Sequence, residues 1–262
     1  MTFKSIQVAL ALFSLIPFSL SAQSEEERGL SIAKEQVARN QGWVDSVSAV
    51  EMTLDNGNGE TYSREIAILS YEGDEVGDKS LITFNKPLDV KGVSLLTYSK
   101  INDPDDQWIY LPSVKRVKRI SSKNKSGPFM GSEFSYEDMA SFEHQEYFYR
   151  YLGEKNINNK DVYLVEQKPK DKNSGYSKRI AWVDKTEYIV LKMEFYDRKG
   201  VLLKTLTYDN YQEHLSKIWR AHTMVMENHQ NGKITTLNTQ NLTFNNGLEE
   251  GDFSQSSLKR TR

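Results

Sequence analysis

From Val50 onward, apolar and polar residues alternate with a period of two, in run after run separated by short polar turns. Val50, Met52 and Leu54 alternate with Glu51 and Thr53, the cluster DNGNGE at 55–60 turns the chain, and 62–71 runs back. In the clearest case Ile189, Leu191, Met193 and Phe195 are separated by Val190, Lys192, Glu194 and Tyr196, and DRKG at 197–200 leads into 201–208. A period of two puts one face of each strand on a core, and hairpins with short turns make neighbouring strands antiparallel. Further strands are expected near 80–85, 93–101, 107–111, 161–167, 179–184, 219–228, 233–240 and 242–246. Such a meander closes into a barrel or curls into a half-barrel.

Two segments break the rhythm: 112–142, and Glu143–Leu152 with its crowded aromatics, which suits helix or strand. A helix is also expected ahead of the strands. Ser24 caps it, Glu25–Glu27 favour the positive end of its dipole, and Leu30, Ala33, Val37 and Ala38 share one face before Gly42 ends it. The fold class expected is mainly β with helices (α+β), a half-open antiparallel β-barrel whose covering helices leave an apolar interior. The 262 residues show no repeat and no linker that would divide a domain.

The first residues have the three-part pattern of a secretory signal peptide: Lys4, an apolar run from Ile6 to Leu20, then small residues and an abrupt acidic run. Residues 1–22 are therefore expected to be removed after Ala22, leaving 23–262 as one exported domain. No cysteine is present, so there is no disulfide, no thiol nucleophile and no lipid-attachment cysteine. Without Lys4 the chain keeps 33 basic and 36 acidic side chains, a formal charge of −3. Mild acidity and export both argue against nucleic acid as a partner.

Catalytic constellations are missing from the sequence: no nucleophile elbow, phosphate-binding glycine loop, dinucleotide fingerprint or H-E-x-x-H. His144, between Glu143 and Glu146, is the nearest approach to a metal cluster, but a lone histidine among surface acids is more simply a polar surface. No enzyme activity, cofactor or metal is expected.

The most unusual stretch is VKRVKRISSKNKSGPFMGSEFSYEDM at 114–139. Lys115, Arg116, Lys118, Arg119, Lys123 and Lys125 crowd its first half. They fit docking on anionic headgroups or an acidic partner, or a solvated strand pinned by Val114, Val117 and Ile120. The glycine-bracketed tip, with Phe129 and Met130 and then Phe134, either folds over a cavity as a lip or plugs the core.

QWIYLPS at 107–113, the basic run, and FMGSEFSYEDM at 129–139 together resemble a family of exported bacterial outer membrane lipoprotein-sorting proteins, relatives of the periplasmic carrier LolA. Gly29–Ala33 through Trp43, and GLEEGDF at 247–253 with Leu258, extend the resemblance over nearly the whole exported chain. It implies a monomeric periplasmic carrier in a Gram-negative bacterium, holding lipid or lipoprotein acyl chains under a helical lid. The branch resembled also implies an RND-type membrane transporter or an outer-membrane acceptor as partner. On this reading the lipid-binding wall comes from Met52, Leu54, Ile82, Phe84, Trp108, Ile189, Leu191, Met193, Phe195, Leu242 and Phe244, with Phe129, Met130 and Phe134 at the lip. Lys115, Arg116, Lys118 and Arg119 face headgroups or a partner.

Overall fold

The computed structural model describes residues 23–73, 77–101 and 103–259; the proposed signal peptide lies outside them. One helix, α1 (Glu25–Arg39), precedes thirteen strands. The first six are β1 (Asp45–Asp55), β2 (Thr61–Tyr71), β3 (Lys79–Lys86), β4 (Ser94–Tyr98), β5 (Asp106–Leu111) and β6 (Arg116–Ile120). After a long connection come β7 (Tyr147–Ile157), β8 (Lys160–Pro169), β9 (Tyr176–Asp184), β10 (Val190–Asp197), β11 (Leu202–His214), β12 (Ile218–Asn228) and β13 (Ile234–Phe244). Glu143–Leu152, open between helix and strand in the sequence, is mostly the start of β7.

All thirteen strands form a single antiparallel sheet in the order β6-β5-β4-β3-β2-β1-β13-β12-β11-β10-β9-β8-β7. The chain makes two meanders, joined where β13 returns beside β1 with Met52 opposite Leu237. β6 and β7 are the edges and do not pair, so the sheet is open. It is strongly curled nonetheless: Ile66, Phe84, Leu95 and Ile109 from one half share one buried cluster with Val165, Ala181, Met193 and Phe195 from the other.

Only one α-helix is found among the described residues, where several covering helices were expected. Ser24 and Glu27 form a capping box at its start, and its buried face is centred on Gly29, Ile32 and Ala33, with Ala38 left exposed. Gly29 lets the helix lie against a strand: a Cβ there would meet the backbone of Tyr151 and Arg150 at 3.0–3.1 Å. The rest of the cover is irregular chain from 121 to 146 with single turns of 3₁₀ helix. This cover lacks the apolar periodicity of a helix and is held by specific side-chain bonds instead.

A second, smaller core lies on the opposite face of the sheet. Leu81 and Leu96 are covered there by Phe253 and Leu258 of the C-terminal segment. Buried Asp45 ties that segment down, accepting from the backbone N–H groups of Asn246 (2.7 Å), Gly247 (3.0 Å) and Leu248 (3.2 Å).

Candidate functional site

The concave face of the sheet is filled by the chain itself. Phe129 is fully buried, its ring 5.7 Å from those of Phe84 and Tyr136. Phe134 is buried in the same cluster. The tip is a tight turn: the Phe129 N–H donates to the Phe134 carbonyl at 2.7 Å, and Ser132 Oγ donates to the Phe129 carbonyl at 2.7 Å. Met130 and Gly131 both have positive φ, +51° and +75°, so glycine is the natural second residue. Arg64 Nη1 donates to the Met130 carbonyl at 2.6 Å. Of the two uses left open for this tip, Phe129 and Phe134 serve as a plug in the core, and Met130 is half-buried at its margin.

A buried ion pair pins the plug. Lys204 Nζ and Asp138 Oδ2 are 2.8 Å apart, with side chains only 4% and 7% exposed. Lys204 also donates to the Glu133 carbonyl at 2.7 Å. Asp138 accepts from Ser135 N and Oγ, both at 2.7 Å, and from the Tyr176 hydroxyl at 2.9 Å. Burial alone pushes Asp138 up, but the Lys204 charge and these bonds outweigh it and hold the carboxyl below its usual range. Burial and the Asp138 charge push Tyr176 well above the ordinary tyrosine range. Lysine, tyrosine and carboxylate together suggest acid–base chemistry, but each group here is committed to a partner inside the fold.

The cavity lies elsewhere. A space of about 1140 Å³ opens between the first half of α1, the start of β7, Ile101 with Asp103–Asp105, and the 169–174 turn. Its apolar wall includes Leu30, Ile101, Tyr147, Phe148, Tyr149 and Pro169. Charged groups line the rest. Lys125 is held by Asp171 at 2.7 Å, and Glu137 accepts from Ser174 Oγ and the Gly175 N–H at 2.7 and 2.8 Å. Burial, with Asp105 nearby, pushes the Glu146 carboxyl up to about 7 against the pull of Lys125 and Arg179. Just behind, burial and the charges of Asp78 and Asp105 push Glu143 to about 7. Near neutral pH the Glu146 carboxyl thus spends part of its time protonated, which lowers the charge it turns toward an apolar guest. Among the described residues no group of three His, Asp or Glu side chains is placed to hold a metal, and His144 has no such company.

The residues expected at the site are divided by the structure. Met52, Leu54, Ile82, Phe84, Met193 and Phe195 lie together in the main core with Phe129 and Phe134. Trp108 does not: its side chain is on the opposite face, 5.1 Å from the ring of Tyr98, beside Leu96 and Phe253. Leu191 sits at a bulge between Val190 and Lys192; the extra residue shifts the phase, Val190 takes the inward position, and Leu191 joins neither core. Ile189, Leu242 and Phe244 are half-buried outside both clusters. None of the expected lipid-contacting residues lines the cavity beside α1. Its wall comes from α1 and the aromatic run at 147–149, whose crowding in the sequence was the available signal.

Lys115, Arg116, Lys118 and Arg119 are exposed on edge strand β6 and the turn before it. Arg119 pairs with Asp106, which also holds Lys100 at 2.7 Å; the other three have no ion-pair partner among the described residues.

A family model described as an uncharacterized protein matches residues 77–260. No curated protein matches the chain. Among solved structures, a domain from Vibrio parahaemolyticus named for outer membrane lipoprotein sorting is 54% identical. Its TM-score is 0.88, over 90% of this chain and 100% of that one. A DUF1329 family protein from Desulfovibrio piger is 31% identical, with a TM-score of 0.84 over 90% of this chain and 99% of that one. A LolA superfamily protein from Nitrosomonas europaea is 21% identical and shares the fold, with a TM-score of 0.71 over 87% of this chain and 98% of that one.

Proposed function

The chain belongs to the family of the outer membrane lipoprotein-sorting and DUF1329 domains and shares its fold with a LolA superfamily protein, and from that premise we propose that it is a periplasmic carrier for lipid or lipoprotein acyl chains. The open antiparallel sheet acts as a half-barrel scaffold, and the cargo travels toward the outer membrane. The observation that carries this reading is the cavity of about 1140 Å³ beside α1. Ligand pockets commonly span about 300–1000 Å³, so there is room for an acyl chain. Each buried methylene contributes about 0.8 kcal/mol, so affinity needs no formal charge. We assign the chain to Leu30, Tyr147, Phe148 and Tyr149, because Met52, Leu54, Met193 and Phe195 already share a core with the plug.

Uptake of a fluorescent fatty acid by the delipidated protein tests this. Leu30→Asp should lower affinity by at least about tenfold, the effect of losing one buried apolar side chain, while the melting temperature shows that the helix stays docked. Unchanged uptake in a folded variant would rule the cavity out. A second reading, an accessory subunit of an RND-type transporter, is favoured by the unpaired cations on β6. Protein drawn from the periplasm repeatedly empty, but bound to a transporter, would decide for it.

A further inference from the structure

The antiparallel order places the β3–β4 turn and the β5–β6 turn side by side at the same end of the sheet. Each carries an apolar side chain out into solvent: Leu88 is 87% exposed and Val114 52%. These tips are built rather than loose. Around Leu88, Val90 and Val93 are buried in the main core. The Val90 N–H donates to the Pro87 carbonyl at 3.3 Å, the Val93 N–H to the Val90 carbonyl at 3.0 Å, and the Gly92 N–H to the Phe84 carbonyl at 2.8 Å. The turn thus sends two valines inward and holds the larger leucine out. Beyond the other turn, Lys115 and Arg116 follow Val114 directly, and Lys118 lies one pair further along the edge strand.

The charge around the tips is lopsided. Lys91, Lys115, Arg116 and Lys118 are exposed and have no ion-pair partner among the described residues. Lys86 is held by Glu65 at 2.8 Å, and Asp89 acts on the nearby Arg64. A chain of net charge −2 therefore gathers free cations at the corner where the most exposed large aliphatic side chain among the described residues protrudes. The cations alone would also suit an acidic protein surface, but aliphatic tips held out singly among them match the boundary between anionic headgroups and acyl chains.

We infer that the paired tips of the β3–β4 and β5–β6 hairpins form a membrane-docking corner, with Leu88 and Val114 entering an anionic bilayer and Lys91, Lys115, Arg116 and Lys118 meeting its headgroups. The corner is separate from the cavity beside α1, so it stands whether or not that cavity holds an acyl chain.

The test is sedimentation of the full exported chain with vesicles at low salt. Binding to equimolar phosphatidylcholine and phosphatidylglycerol should exceed binding to phosphatidylcholine alone by at least about tenfold, and should fade with added salt. Leu88→Ser with Val114→Ser should weaken it about tenfold or more; both side chains are exposed, so the fold should melt unchanged. Lys115→Glu with Arg116→Glu should weaken it further. The chain has no cysteine, so Leu88→Cys takes a single environment-sensitive dye, whose emission should shift to the blue on anionic vesicles. No sedimentation, equal binding to neutral and anionic vesicles, full binding by the Leu88/Val114 variant, or an unshifted dye on sedimented protein would each overturn the proposal.

Discussion

Replacing Phe129 by alanine removes a fully buried ring that packs against Phe84 and Tyr136. The expected cost is about 3–5 kcal/mol, read as a lower urea midpoint with unchanged slope. Asp138→Asn should cost a similar amount, about 3–5 kcal/mol, because it strands the Lys204 ammonium in the interior. Glu143 and Glu146 carry a pH dependence of definite sign. Their folded carboxyls titrate near 7, above the ordinary 4.5, so the folded state binds the extra protons. Stability should therefore decline as pH rises from 4.5 through 7 and then level off. Asp138 acts oppositely, its contribution being lost as pH falls through its depressed folded value. Urea titrations across pH should show the decline, and Glu143→Gln with Glu146→Gln should flatten it. The sequence presents Phe129 as lip or plug and cannot choose, because the choice rests on Lys204, 66 residues from Asp138 in the chain.

At the scale of elements, the seat of α1 on β7 rests on Gly29. Gly29→Val would drive a branched side chain into the strand backbone at about 3 Å. The expected cost is about 1–3 kcal/mol, as a lower melting temperature and faster hydrogen exchange along α1. The strands were legible because each buries one face, and alternation reports that directly: Val50, Met52 and Leu54 point inward as expected. Alternation fails where a bulge adds a residue, which is why Leu191 falls outside the core. It is also silent on which face of a two-sided sheet a residue meets. Trp108 has an apolar neighbourhood, but on the side covered by Phe253 and Leu258. The 121–146 cover has no period to read, since turns and side-chain bonds hold it.

For the whole molecule, the proposed carrier role carries one expectation: protein purified without denaturant should carry lipid, and native mass spectrometry should show adducts that vanish on delipidation. Loss of the adducts in Leu30→Asp would place the lipid beside α1. An open sheet also has a mechanical property that a closed barrel lacks. Strand number and shear fix the radius of a closed barrel, and widening it breaks a ladder of backbone bonds. Here β6 and β7 are free of each other, so a small change of twist at each of many strand pairs can part the two edges without rupturing one ladder. The cavity between the β7 edge and the β4–β5 connection is thus adjustable in small steps, and the proposed carrier role would let one chain take cargo of different girth at nearly constant hydrogen bonding.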